Sequence, residues 1–114
     1  MCNNRQRYPP VYICSPYRDD TYNNIANAIR YCKQAIDQGY MPIATHLYFP
    51  RFLNDEDLVE RELCLSFGLR LIDHCEAFWV CGDRVSEGMQ HEIDYAQQNG
   101  IPIQYNEREV AHHE

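Results

Sequence analysis

Ser86, Gly88 and Glu92 have the residue types and spacing that chemistry on an anionic ligand requires. They follow the short apolar run 78–81, inside the stretch 77–100. Where a strand passes through a small-residue turn into a helix, the first-turn N–H groups are free to bind an anion, and the helix dipole favours negative charge. Glu92, in the second turn, then has a carboxylate placed to act as a nucleophile or a base. The alternatives are a solvated helix glutamate and a serine that only caps the helix.

Two further segments place polar side chains directly after predicted strands, at 15–18 (S-P-Y-R) and 45–50 (T-H-L-Y-F-P). Arg18 can bind a phosphate through paired hydrogen bonds, or form a surface ion pair with a neighbouring aspartate. Tyr17 can stack on a base, and His46 can contact a ligand or hydrogen bond to nearby backbone. With Glu92 as the catalytic candidate, the predicted ligand-binding residues are Ser15, Tyr17, Arg18, His46, Asp83, Ser86, Gly88 and Met89.

The elements that must position these residues alternate along the chain. Strands are predicted at 11–14, 41–44, 78–81 and 101–105, and helices at 22–38, 54–73 and 86–98. Alternation implies right-handed β-α-β crossovers, so we predict an α/β fold with a mainly parallel sheet of four to five strands and helices on both faces. Ligands in such sheets lie beyond the carboxyl ends of the strands, where the three polar segments meet.

Helical periodicity also predicts which side chains are buried. In the first helix the expected buried stripe is Ile25, Ala28, Ile29, Cys32 and Ile36. In the second helix, with Asn54 as the predicted N-cap, it is Leu58, Leu63, Phe67 and Leu71 or near neighbours. In the third helix it is Met89, Ile93 and Ala96.

Length and composition limit the classes of protein. The 114 residues predict one domain at 10–106, with a flexible arm at 1–9 and a tail at 107–114. The net charge of −7 argues against a nucleic-acid polymer as partner. The six cysteines form no C-x-x-C pair and favour buried thiols in a reduced, cytoplasmic protein, with no metal and no cofactor expected. No signal peptide and no apolar run of about 18 residues is recognisable.

Four segments together resemble the nucleoside 2-deoxyribosyltransferase-like superfamily, and more narrowly its small phage and bacterial members with domains of unknown function. They are V-Y-I-C-S-P-Y-R, G-Y-M-P-I-A-T-H, F-W-V-C-G-D-R-V-S-E-G-M-Q-H-E-I-D-Y-A and G-I-P-I. The most specific part is S-x-G-x-x-x-E at 86–92. The resemblance implies a flavodoxin-like sheet and a homo-oligomer, often with a neighbouring subunit completing the site.

The resemblance also implies roles for individual residues. Glu92 attacks C1′ of a 2-deoxynucleoside and releases the base, after which another base or water resolves the glycosyl-enzyme. The turn at Ser86 and Gly88 holds the 5′-hydroxyl or 5′-phosphate. Residues 15–18 line the base and sugar pocket. The implied ligand is a small nucleoside or nucleotide.

The sequence departs from the family pattern at the acid that protonates the leaving base. Hydrolytic members carry an aspartate about two dozen residues before the glutamate, and in this chain that spacing reaches Gly68. Glu62 and Asp73 are the nearest acids, and neither can be assigned from the sequence. Two alternatives to an enzyme therefore stay open. One is a non-catalytic binder or sequestering protein for a nucleotide-derived small molecule, and the other is a structural or regulatory module.

Overall fold

Four parallel strands form the centre of residues 8–106, the part of the chain that this computed structural model describes. They are β1 (Pro10–Cys14), β2 (Met41–Ile43), β3 (Ala77–Cys81) and β4 (Ile103–Asn106). The strands lie in the order β2-β1-β3-β4, and each neighbouring pair is parallel. The predicted tail at 107–114 and most of the predicted arm lie outside the described residues.

Three helices alternate with the strands: α1 (Thr21–Asp37), α2 (Leu58–Asp73) and α3 (Glu87–Gln98). Two short 3-10 turns, Thr45–Leu47 and Phe49–Arg51, occupy the segment between β2 and α2 that was predicted as a loop. α1 packs on one face of the sheet, and α2 and α3 contact each other on the other. The prediction of an α/β fold with a parallel sheet covered on both faces is confirmed.

The strands divide their side chains between two apolar layers, because successive residues of a strand point to opposite faces. On the α1 side the layer contains Val11, Ile13, Tyr31, Ala35, Trp79 and Cys81. On the α2 and α3 side it contains Tyr12, Cys14, Ile72, Cys75, Phe78, Val80, Met89, Ile93 and Ala96. Tyr12 therefore faces the helix that carries Glu92.

The predicted buried stripe of α1 is correct at Ala28 and wrong at Ile29 and Ile36. The helix buries Asn24, Ala28, Tyr31 and Ala35, whereas Ile29 and Ile36 are each 49% exposed. Small residues allow α1 to approach the sheet closely, and Tyr31 fills the remaining space. Asn24 is buried because its amide donates to the backbone oxygens of Tyr17 and Arg18, which ties the helix to the loop after β1.

The predicted cap and core of α2 are also corrected. Asp57, not Asn54, is the N-cap, and its carboxylate accepts hydrogen bonds from the N–H groups of Val59 and Glu60. The buried residues of α2 are Gly68 and Ile72, while Leu58 is 77% exposed. Leu63 and Phe67 are exposed as well, because the face with the smallest residue lies against the sheet.

The cysteines of the described region are free thiols and form no disulfide. Cys14, Cys75 and Cys81 are buried. Burial raises the pKa of the Cys75 thiol to about 11 and that of Cys81 to about 12, so both remain protonated thiols at neutral pH.

No helix within residues 8–106 combines the length and apolarity needed to cross a membrane.

Candidate functional site

The loops after β1 and β3 lie side by side at the carboxyl edge of the sheet. From β1 the chain connects to β2 on one side, and β3 lies on the other, so the strand order reverses between β1 and β3. This reversal is where open α/β sheets bind ligands. The two loops touch closely: Gly82 has φ of +104°, and a Cβ there would come within 2.9 Å of Pro16. A glycine is required both by that backbone conformation and by the contact.

Side-chain contacts join these loops to the segment between β2 and α2. Arg84 donates from Nη2 to the Arg18 carbonyl oxygen at 3.2 Å. Arg18 forms an ion pair with Asp55 at 3.0 Å, rather than with an adjacent aspartate. Tyr17 stacks on His46 with ring centroids 4.8 Å apart. The three polar segments that the sequence predicted to meet are therefore in contact.

A cleft of about 920 Å³ lies between these segments and α3. Its volume is at the upper end of the range of about 300–1,000 Å³ for small-molecule sites. Glu92 lines it, and so do seven of the eight predicted ligand-binding residues: Ser15, Tyr17, Arg18, His46, Ser86, Gly88 and Met89. Asp83 is exposed in the turn after β3 and is not among the lining residues.

Glu92 is half-buried, and its carboxylate is held by a residue of the central strand β1. The Tyr12 hydroxyl donates to Glu92 Oε2 at 2.9 Å and lies 3.3 Å from the Thr45 hydroxyl oxygen. Burial raises the pKa of Glu92 from 4.5 to about 7, because a charged carboxylate loses water there. Hydrogen bonds from Tyr12 and Cys14 act in the opposite direction and limit the rise in pKa. The cleft thus contains a carboxyl group that is poised between its two protonation states near neutral pH.

Because Gly68 has no side chain, there is room beside it for the Glu92 carboxylate and the Tyr12 hydroxyl to meet. A Cβ at that position would lie 3.1 Å from Glu92 Oε2 and 3.2 Å from the Tyr12 hydroxyl oxygen. Gly68 is buried in the middle of α2, where glycine costs about 1 kcal/mol relative to alanine. Gly68 is therefore packed closely against the Glu92 carboxylate and the Tyr12 hydroxyl.

The first turn of α3 opens onto the cleft. The Ser86 hydroxyl accepts from the Met89 N–H at 3.2 Å, so Ser86 is a helix cap. A Cβ on Gly88 would meet no atom within 4 Å, which leaves a ligand free access to the backbone of this turn. Met89 is buried, and its sulfur accepts from the Ser86 N–H at 3.5 Å. Within the site, Met89 holds the turn in place.

Ser15 directly follows β1, and His46 lies in the 3-10 turn after β2; both line the cleft. The Ser15 hydroxyl oxygen is buried and has no hydrogen-bond partner among residues 8–106. A buried polar group without a partner costs free energy, and a ligand lining the same cleft can supply one. Burial lowers the pKa of His46, while a hydrogen bond to the Ser15 backbone and the charge of Asp55 raise it. His46 is therefore neutral at pH 7 and is hydrogen bonded to backbone.

Neither acid considered from the sequence as a proton donor lines the cleft. Glu62 is exposed on α2, and Asp73 accepts a hydrogen bond from Tyr95 at 2.7 Å at the far end of that helix.

No group of three His, Cys, Asp or Glu side chains within residues 8–106 is arranged to hold a metal ion.

Several residues of the site gave no signal in the sequence. Tyr12 sits inside an apolar strand and reads as core, and Thr45 reads as a loop residue. Gly68 lies where hydrolytic members of the resembled superfamily carry an aspartate, and the sequence does not show that it packs against Glu92. The aromatic and charged residues between β2 and α2 that line the cleft were treated as loop: Phe49, Arg51, Phe52, Asp55 and Glu60. The available signal was their position after a strand that ends at the ligand-binding edge.

The fold and the place of the cleft define a class of protein. The chain resembles a solved structure of a 2-deoxyribosyltransferase from the psychrotolerant bacterium Bacillus psychrosaccharolyticus, with a TM-score of 0.71 and 14% sequence identity. The match covers 86% of this chain and 72% of that one. That enzyme is characterised as a biocatalyst for the synthesis of antiviral and antitumoral nucleosides. The protein therefore has the nucleoside 2-deoxyribosyltransferase-like fold that the sequence resemblance predicted.

Within this fold class, the family of the chain is also established. Residues 9–106 match a domain of unknown function, DUF7768, and the chain belongs to that family. No curated protein matches the sequence.

Proposed function

We propose that this protein cleaves or transfers the N-glycosidic bond of a small nucleoside or nucleotide, with Glu92 as the nucleophile. The observation that carries the proposal is the half-buried Glu92 carboxylate, held by the Tyr12 hydroxyl at 2.9 Å and lining the cleft at the strand-order reversal. The chemistry passes through an oxocarbenium-like sugar, which a carboxylate next to C1′ stabilises or traps. The similarity to a 2-deoxyribosyltransferase supports a nucleoside-related ligand.

In the proposed reaction, a Glu92 oxygen forms a bond to C1′ while the bond from C1′ to the base nitrogen breaks. The electron pair of that bond leaves with the base. Water or a second base then attacks C1′ and releases the Glu92 carboxylate. Tyr12 contributes by fixing the carboxylate in one orientation, since an oriented nucleophile avoids the entropy cost of finding its position during reaction.

The ionisation of Glu92 supports the nucleophile role and gives it a pH signature. Attack requires the ionised carboxylate, and the pKa of Glu92 is about 7. Activity should therefore rise with pH through neutrality. Desolvation that raises this pKa also makes the ionised carboxylate more reactive toward a developing positive charge.

The first turn of α3 is the proposed site for the 5′-hydroxyl or 5′-phosphate of the ligand. Arg84, Ser86 and Gly88 line the cleft, and a Cβ on Gly88 would meet no atom within 4 Å, so a ligand can approach the backbone of this turn. The loop with Ser15 and Arg18 is the proposed site for base and sugar, because the unpartnered Ser15 hydroxyl lies there.

The test is incubation of the full chain with a panel of nucleosides and nucleotides, followed by mass spectrometry of small molecules and protein. We expect free base to appear with wild type and a glycosyl adduct on Glu92. The variants Glu92→Ala and Glu92→Gln should release none, while Asp94→Asn, at an exposed acid of the same helix that does not line the cleft, should behave as wild type. Absence of turnover by wild type across the panel would contradict the proposal. Ligand that is bound but recovered unchanged, with affinity lost in Arg18→Ala, would instead establish the non-catalytic binder.

A further inference from the structure

Resting on the proposed function, we propose that the substrate is a nucleotide whose base is attached through a cationic nitrogen, such as a pyridinium or an N7-alkylated purine. Such a base leaves as a neutral molecule and takes no proton from the protein. The inference follows from what surrounds Glu92 and from the charge of the cleft lining. It narrows the substrate class without altering the role of Glu92.

The groups in contact with the Glu92 carboxylate are neutral. Tyr12 donates to Oε2 at 2.9 Å, and Gly68 presents a backbone without a side chain at the same oxygen. Cys14 is the other hydrogen-bond partner. Burial and the neighbouring Glu92 charge hold the pKa of both Tyr12 and Cys14 well above their ordinary values, so each keeps its proton. A proton donor for a leaving base needs a pKa near the working pH, which neither group has.

The other acids that line the cleft within residues 8–106 are engaged or in solvent. Asp55 is in an ion pair with Arg18 at 3.0 Å, and Glu60 accepts a hydrogen bond from the backbone N–H of Asn54. The remaining acids of the lining, Asp19, Glu56 and Glu87, are exposed.

The remaining side chains of the described lining that carry a titratable proton are Tyr17, Cys64 and His46. Tyr17 stacks on His46, and burial raises the pKa of the Cys64 thiol, so it keeps its proton. Burial lowers the pKa of His46, so it is neutral, and its ring is hydrogen bonded to the Ser15 backbone. A neutral imidazole whose N–H is already donated to a carbonyl is a poor acid for a leaving base. The described residues therefore favour a base that needs no proton.

The charge of the lining suits a cationic base attached to a phosphorylated sugar. Six carboxylates line the cleft, at Asp19, Asp55, Glu56, Glu60, Glu87 and Glu92. Four guanidinium groups line it as well, at Arg18, Arg51, Arg61 and Arg84. The excess of carboxylates attracts a positive base, and the arginines provide partners for phosphate. The volume of about 920 Å³ exceeds what a bare nucleoside requires.

The reaction balances without a protein acid. A Glu92 oxygen bonds to C1′, and the bond from C1′ to the cationic nitrogen breaks, with its electron pair neutralising that nitrogen. Water then bonds to C1′, the ester to Glu92 breaks, and one proton passes to solvent. The products are a neutral base, a sugar phosphate and a proton.

The experiment compares two substrates that differ in the charge of the base and by one methyl group. Guanosine 5′-monophosphate and 7-methylguanosine 5′-monophosphate are each supplied in ribose and 2-deoxyribose forms, with nicotinamide mononucleotide as a second cationic substrate. Base release is measured by chromatography, and the rate with Glu92→Gln is subtracted to remove spontaneous loss of the labile base. We expect kcat/KM to be at least about 100-fold higher for the cationic substrates, the smallest factor that a general acid normally contributes.

The outcomes separate the two proposals. Comparable kcat/KM for guanosine and 7-methylguanosine monophosphates would overturn the inference and leave the glycosidic reaction intact. A falling limb at high pH for a neutral-base substrate would reveal a working acid and overturn the inference as well. Cleavage of none of these substrates, while other members of the nucleoside and nucleotide panel are cleaved, would overturn the inference alone. Absence of turnover across the whole panel, with no adduct on Glu92, would refute the proposed function and the inference with it. A flat profile above the rising limb with the cationic substrate would support the inference.

Discussion

Replacing Glu92 by glutamine should stabilise the protein increasingly as pH rises. The pKa of Glu92 is raised from 4.5 to about 7 in the folded protein, so between these values the folded state binds the proton more tightly than the unfolded chain. The protonated Glu92 carboxyl stabilises the folded state fully below pH 4.5, the pKa of Glu92 in the unfolded chain. This stabilisation is lost as pH rises through about 7, the pKa of Glu92 in the folded protein. A tenfold change in a protonation equilibrium is about 1.4 kcal/mol, so ionised Glu92 costs the folded state about 3 kcal/mol at high pH.

The assay is urea unfolding of wild type and Glu92→Gln at several pH values. Glutamine stays uncharged and can still accept the Tyr12 hydrogen bond, so the variant removes the charge while preserving the contact. The variant's advantage in free energy of unfolding should grow by about 2–3 kcal/mol between about pH 5 and about pH 8.5. Subtracting the wild-type curve removes the contribution of the other titrating groups.

The matched control is Glu87→Gln, which removes an exposed carboxylate from the first turn of the same helix. Equal growth with pH in this exposed-site variant would show that the effect is not specific to the carboxylate of Glu92. A difference between wild type and Glu92→Gln that is constant with pH would refute the reasoning. Glu92 would then be solvated, and the basis for its reactivity would be lost.

Three further predictions concern the contacts of Glu92 and the α3 turn. Tyr12→Phe removes a hydrogen bond to the ionised Glu92 carboxylate, worth about 1.5–3 kcal/mol. Its loss raises the pKa of Glu92, so the rising limb of the pH–activity profile should move to higher pH by about one unit or more. An unmoved limb would contradict the positioning role of Tyr12. Gly68→Ala should destabilise the protein by about 1–3 kcal/mol in urea unfolding, because its methyl group meets Glu92 Oε2 at 3.1 Å. Gly88→Ala should instead keep or raise stability by up to about 1 kcal/mol while weakening ligand binding in calorimetry, because its methyl group enters open space. Equal stability changes in the two alanine variants would show that Gly68 is not packed against the carboxylate.

The order of strands and helices could be predicted because its signals are local. Short apolar runs bounded by turns predicted four strands, and the periodic segments between them predicted three helices. The chain order then predicted the ligand-binding edge, since parallel strands all present their carboxyl ends on one side. Glu92 was identified from the 86–92 motif before any contact was known, and it lines the cleft.

Helix orientation was less predictable, because amphipathic patterns compete with close packing. Ile29 and Ile36 follow a helical stripe, yet α1 turns Ala28 and Ala35 to the sheet. In α2, which has apolar residues on several faces, the buried residues are Gly68 and Ile72. Hydrophobicity alone does not rank these faces, since the distance between helix and sheet is set by the smallest side chains at the contact.

By itself, the sequence determined the alternating fold, the edge of the sheet at which the cleft lies and the glutamate that lines it. The tertiary structure alone decided the pKa, and so the protonation state, of that glutamate. Tyr12 comes from a strand eighty residues earlier in the chain, and Gly68 comes from a different helix, yet both meet the same carboxylate oxygen. A pKa depends on which groups surround the charge in space and on how much water remains. The sequence therefore supplies Glu92, and the packing of β1 and α2 against α3 makes it a group that titrates near neutral pH.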